Sequence, residues 1–117
     1  MYANKLSIAL SAVLVAAMTL TAPGITSAAD EAAARALARQ SNCFKCHSVD
    51  KKKDGPSYQS VATKYRDKPD AMQLLTKHIT SGEKIKFEDG HEEEHTVVKT
   101  KDAAAIQNLV DWILSLR

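Results

Sequence analysis

The feature that most constrains this chain is a six-residue stretch, Asn42-Cys43-Phe44-Lys45-Cys46-His47. Two cysteines separated by two residues, with a histidine directly after the second, form the pattern of a c-type haem attachment site. Two thiols on one tight turn can add to the two vinyl groups of one porphyrin as thioethers, and the adjacent imidazole can then reach the iron as proximal ligand. Cys43 and Cys46 are the only cysteines in the chain, so no disulfide competes for them. A thioredoxin-like redox pair needs a βαβ setting, and no segment reads as a convincing strand. A structural zinc site takes a second Cys or His pair at finger-like spacing. The later histidines His78, His91 and His95 lie too far away and too irregularly for that.

The N-terminus points to export. Lys5 gives a basic start, Leu6 to Leu20 an apolar run, Pro23 and Gly24 a break, and Thr26-Ser27-Ala28-Ala29 small residues at the cleavage positions. Residues 1–29 therefore read as a secretory signal peptide, with cleavage after Ala28 or Ala29 fitting about equally well. The apolar run is too short and wrongly flanked for a membrane span, and no cysteine follows it that could carry a lipid. The expected location is the periplasm, with no membrane span in the mature chain.

Cleavage after Ala29 leaves 88 of the 117 residues, 30–117, as one small domain. A chain of that size buries little core by itself and usually needs a staple, and a covalent haem c would be one. Without Lys5 the chain carries 15 basic and 14 acidic side chains. That near-zero balance argues against a nucleic-acid binder, which shows a basic excess.

The mature chain reads as all-α, three to four helices around one haem. From Asp30 to about Ser41, acids lead and Arg35 and Arg39 follow, as the helix dipole favours. Ala33, Ala34, Leu37 and Ala38 make a narrow small-residue face suited to close helix approach, and Asn42 is a stop. A lysine-rich loop, Asp50 to Asp54, is either plain solvated surface or a docking patch for an acidic partner. Tyr58, Val61, Ala62 and Tyr65 form a second helical stripe opened by Pro56. Ala71, Leu74, Leu75 and Ile79 form a third, ending at Gly82. The last helix is expected to begin near Thr100 as N-cap, with Ile106, Leu109, Val110, Ile113 and Leu116 on one side and Trp112 beside them.

This order of features resembles the class I cytochrome c family in its small bacterial form, across essentially the whole mature chain. An N-terminal helix runs straight into Cys43-x-x-Cys46-His47, and Gly55-Pro56 falls where the family has a Gly-Pro pair. By that resemblance the Pro56 carbonyl accepts a hydrogen bond from His47 and orients it. Leu109, Val110, Trp112 and Ile113 match the family's terminal aromatic-bearing helix, which crosses the first. The resemblance implies a one-electron carrier rather than an enzyme, a monomer whose partners are periplasmic or membrane-bound redox proteins.

One departure is decisive. The family usually takes its sixth ligand from a methionine ahead of the last helix, but beyond the signal this chain has only Met72, early in the third helix. The corresponding loop carries Gly90-His91-Glu92-Glu93-Glu94-His95-Thr96. A neutral imidazole is therefore expected as sixth ligand, His95 preferred because His-Thr-Val-Val-Lys leads directly into the last helix. His91 is the alternative and His78 a weaker candidate. Two imidazoles predict a lower potential than methionine/histidine ligation. A labile loop histidine would instead suit a gas-binding or sensor haem protein. The same loop matches His-Glu-x-x-His, the zinc-protease signature, but that motif works on a helix with a third ligand.

Overall fold

The computed structural model describes residues 28–117. Apart from Ala28 and Ala29, the signal-peptide reading of residues 1–29 lies outside the described residues.

Helix α1 spans Glu31–Gln40. Asp30 caps it, its carboxylate accepting from the Ala33 N–H at 3.0 Å, and Glu31 pairs with Arg35 one turn on at 2.6 Å. Ala34, Leu37 and Ala38 are buried. Ala33, expected on the same face, is exposed. At 100° per residue it lies roughly 90° from the centre of the stripe, whereas Ser41 falls on it and is fully buried.

Helix α2 spans Tyr58–Tyr65, capped by the Ser57 hydroxyl, and α3 spans Ala71–Thr80. Helix α4, Ala103–Ser115, is capped by Asp102, which accepts from the Ala104 and Ala105 N–H groups. Thr100 is therefore not the cap. Its hydroxyl accepts from the Asp102 N–H at 3.1 Å and shapes the approach, while the carboxylate two residues later takes the orphan donors of the first turn.

Helix α4 packs against α1, α2 and α3. Its Leu109, Val110, Trp112 and Ile113 join Ala34, Ala38, Tyr58 and Ala62 in the buried interior. Small residues on α1 let the two chain-end helices approach closely. A polar clamp fixes their crossing at one end: the Asp30 N–H donates to Asn108 Oδ1 at 2.8 Å, and Asn108 Nδ2 donates to the Asp30 carbonyl at 2.9 Å.

The sequence reading found no convincing strand, and here the structure differs. Strands β1, Lys84–Lys86, and β2, Glu92–Glu94, form an antiparallel hairpin. Lys84 faces Glu94, Ile85 faces Glu93, and Lys86 faces Glu92. Opposite charges set directly across a ladder stabilise it modestly, and the turn closes through Asp89-Gly90. Three-residue strands with one apolar side chain between them leave no hydrophobic alternation to detect. The chain is otherwise the expected small helical bundle.

The α1–α4 crossing predicts a contrast between two alanines on different faces of α1. Ala38→Leu, at a position with no exposure, should destabilise the holoprotein by about 1–3 kcal/mol, whereas Ala33→Leu should stay within about 0.5 kcal/mol. Thermal unfolding of both variants measures the difference.

Candidate functional site

One wall of the site is built by the turn after α1. Asn42 adopts the left-handed conformation, φ 60°, that stops the helix. A single 3-10 turn, Cys43–Lys45, follows, and the Cys46 and His47 N–H groups both donate to the Cys43 carbonyl. Cys43 and Cys46 are unpaired and line the same cavity. Burial pushes the Cys43 thiol up, opposed by its hydrogen bond to the Tyr58 hydroxyl.

His47 is fixed twice. Its Nδ1 lies 2.7 Å from the Pro56 carbonyl, the contact expected of Pro56, so Nδ1 carries the proton and Nε2 is left as the lone-pair nitrogen. Its ring stacks on Tyr58, with centroids 5.2 Å apart and planes inclined by 20°. Gly55 allows this approach, because a Cβ there would meet His47 Cε1 at 2.6 Å and Nδ1 at 2.9 Å. The stacking role of Tyr58 was missed in the sequence. Its position two residues after Pro56 is the one signal that could have suggested it.

The opposite wall is the segment leaving the hairpin. The His95 N–H donates to the Glu83 carbonyl at 2.9 Å, extending the β ladder by one bond. The Val98 N–H then donates to the Ile79 carbonyl, and the Lys99 N–H donates to the buried Ser41 hydroxyl. The segment is thus tied to α3 and to the end of α1 before α4 begins. His95 lines the cavity and His91 does not. His91 is exposed, stacked on Phe87 at 4.2 Å, with Nδ1 on Asp89 and Nε2 3.3 Å from Glu93. His78 also lines the cavity, its Nδ1 2.6 Å from Glu83 Oε1 and its ring centroid 4.1 Å from that of His95. Glu83 carried no signal in the sequence.

Between the walls lies a cavity of about 530 Å³, lined by Leu74, Leu75, Ile79, Leu109, Val110 and Ile113 among others. Its size and apolar lining suit a bound cofactor, for which roughly 300–1,000 Å³ is usual. The His47 and His95 ring centroids stand 6.2 Å apart across it, with planes inclined by 52°. A first-row metal–imidazole bond of about 2.0–2.1 Å on each side puts the centres of two rings sharing one metal roughly 6 Å apart. The residues present therefore fit a haem, which Cys43 and Cys46 could anchor and the His47 and His95 imidazoles could hold.

The electrostatics agree with that division of roles. Burial lowers the pKa of His47, against the pull of the Pro56 carbonyl. Burial likewise lowers that of His95, with the nearby His78 and His47 adding to the effect and the Thr96 backbone and Glu83 opposing it. Both rings are then neutral near pH 7, the form that binds iron. The Asp89 carboxylate raises the pKa of His91 and favours its protonated form, which has no lone pair to offer. The His-Glu-x-x-His match brackets strand β2, with His91 before it and His95 after it, and in extended chain residues four apart stand about 13 Å from each other. His91 and His95 cannot close on one zinc there, and no group of three metal-ligating side chains occurs among the described residues. Of the three loop lysines, Lys52 pairs with Glu88 and Lys53 donates to the Phe44 carbonyl. Only Lys51 lacks such a contact among the described residues.

Residues 31–117 match the family model for cytochrome c. Among curated relatives, cytochrome c-552 of Hydrogenobacter thermophilus is 37% identical over 81 residues, covering 69% of this chain and 79% of the relative. Cytochrome c-551 of Allochromatium vinosum is 36% identical over 80 residues, covering 68% and 82%. Among solved structures, the class 1 cytochrome MtoD from Sideroxydans lithotrophicus ES-1 superposes with a TM-score of 0.72 at 64% identity, covering 76% of this chain and 98% of that one. Cytochrome c552 of Nitrosomonas europaea follows with a TM-score of 0.57 and 35% identity, covering 71% of this chain and 99% of its own. With a family match spanning every helix of the fold, the chain belongs to the cytochrome c family, as a monohaem electron-transfer protein with one covalently attached haem c and not an enzyme.

Proposed function

We propose that this cytochrome is a monomeric periplasmic one-electron carrier whose haem iron is held by two histidines. Cys43 and Cys46 supply the thioethers, His47 the proximal imidazole and His95 the distal one, with Pro56 orienting His47. The haem supplies the Fe(III)/Fe(II) couple. The single observation that carries the ligand assignment is the 6.2 Å separation of the His47 and His95 rings on opposite walls of one apolar cavity.

The chain's own residues do the rest. Pro56 and Tyr58 hold the His47 ring, so that a change in iron charge need not move it. The tie from His95 N–H to the Glu83 carbonyl, and those of Val98 and Lys99 beyond it, hold the distal segment near the iron and favour a carrier over a gas-binding protein. Export is supported by the basic, apolar and small-residue succession of residues 1–29. Among the described residues no helix is long and apolar enough to cross a membrane. Electron donor and acceptor are then periplasmic or membrane-bound redox proteins. Lys51 is the one member of the lysine loop left free to meet an acidic one.

Two experiments on the haem-loaded protein test the assignment. His95→Ala should turn the low-spin spectrum high-spin and give rapid carbon monoxide binding to the reduced protein, while His91→Ala should leave the spectrum as it was. A low-spin His95→Ala protein would sink the choice of His95. Separately, Gly55→Ala should cost about 1–3 kcal/mol in unfolding free energy by overpacking and perturb the Soret band as the His47 ring is displaced. Gly90→Ala, at φ 91° with nothing within 4 Å of the new Cβ, should cost about 1–2 kcal/mol through backbone strain and leave the spectrum unchanged.

A further inference from the structure

The two imidazoles that face each other across the cavity are held in unequal ways. His47 has its Nδ1 on the Pro56 carbonyl at 2.7 Å and its ring against Tyr58. His95 Nδ1 is buried with no hydrogen-bond partner. Histidines that bind a metal almost always commit their second ring nitrogen to a carbonyl, carboxylate or water, and that bond fixes the ring plane. With Nδ1 unpartnered and only the Thr96 backbone acting on the ring, the plane of His95 depends chiefly on packing.

The packing comes from His78. Its ring lies 4.1 Å from that of His95, centroid to centroid, with the planes inclined by 43°. His78 sits in the last turn of α3, and its own plane is set by Glu83, whose Oε1 is 2.6 Å from Nδ1. The same Glu83 accepts the His95 N–H on its backbone carbonyl. One residue therefore ties down both the main chain of His95 and the ring that abuts its side chain.

We propose that His78, anchored by Glu83, is the positioning residue that sets the plane of the His95 ring and limits its departure from the iron. The inference rests on the bis-histidine reading. Its physical content is specific. The angle between two axial imidazole planes governs the splitting of the iron d orbitals, and with it the spread of the ferric g values. A distal ring free to turn is also a ring that leaves more readily and admits an outside ligand. Tilted or stacked aromatic pairs bias an equilibrium by several-fold, up to about tenfold, which bounds the effect expected here.

The test uses the haem-loaded protein and three variants, each read by ferric electron paramagnetic resonance and by the rate of carbon monoxide binding to the reduced form. His78→Ala should shift or broaden the largest g value and speed carbon monoxide binding by several-fold, up to about tenfold. His78→Phe, which keeps a flat ring in place, should restore both towards wild type. An His78→Ala protein with unchanged g values and an unchanged rate overturns the proposal, and so does an His78→Phe protein that behaves like His78→Ala. His95→Ala separates the two levels. If it stays low-spin, the bis-histidine reading fails and takes this inference with it. If it turns high-spin while His78→Ala is silent, only the role of His78 falls.

Discussion

Everything in this small protein depends on holding two walls at a fixed separation. The His47 and His95 rings stand 6.2 Å apart across the cavity, about the separation that two imidazoles on one iron would need, and they come from segments 48 positions apart in the chain. A domain of this size has little interior to spare for the task. It meets the requirement by making helix α4 the common floor, since α4 touches α1, α2 and α3 at once. The clamp between Asp30 and Asn108 and the small residues of α1 fix the crossing. The turn carrying the two cysteines then leaves α1 in one direction only. The distal segment is fastened to the same frame through the Lys99 N–H on Ser41, the residue that ends α1. Both walls are thus referred to one helix end.

Sequence and structure agree where local chemistry decides the conformation. Asn42 stops α1 in the left-handed conformation, as its residue type suggests, whereas Asp30, read as an acid favoured by the helix dipole, proves to be the cap itself. The small all-α bundle could be read from four apolar stripes. The hairpin could not, because Lys84–Lys86 and Glu92–Glu94 owe their pairing to charge across the ladder rather than to burial. In retrospect the mirrored charges around Asp89-Gly90 are the signal, one that hydrophobic periodicity ignores. The placement of Thr100 failed for a related reason. Two residues close together could both cap, and the choice between Thr100 and Asp102 was made by how the chain enters α4 from the distal segment.

The hairpin also explains why the sequence left two histidines in competition. Read as a loop of no particular shape, Gly90 to Thr96 offers His91 and His95 alike. A strand has period two and a rise of about 3.3 Å per residue. That geometry carries His91 to the turn, beside Phe87 and Asp89, and brings His95 to the cavity. The functional contrast between them is then electrostatic as well as positional. Carboxylates surround His91 and favour its protonation, while burial keeps His95 neutral.

Under the bis-histidine ligation proposed above, the hairpin would bear on the potential of the haem. Replacing a thioether by an imidazole lowers the potential of a c-type haem. The hairpin adds to this, because Glu83, Glu93 and Glu94 line the cavity on the distal side and negative charge near the iron favours Fe(III). Their exposure to solvent and salt tempers the contribution, and Lys84 and Lys86 lie across the ladder from Glu94 and Glu92. Glu93 faces Ile85 across the ladder and has His91 Nε2 at 3.3 Å instead. Under the proposed ligation, the strand that leads into His95 would also bring Glu93 and Glu94 towards the iron, each with a basic neighbour, His91 and Lys84. Ligand and partly screened charge would then act in the same sense, both lowering the potential relative to methionine/histidine ligation.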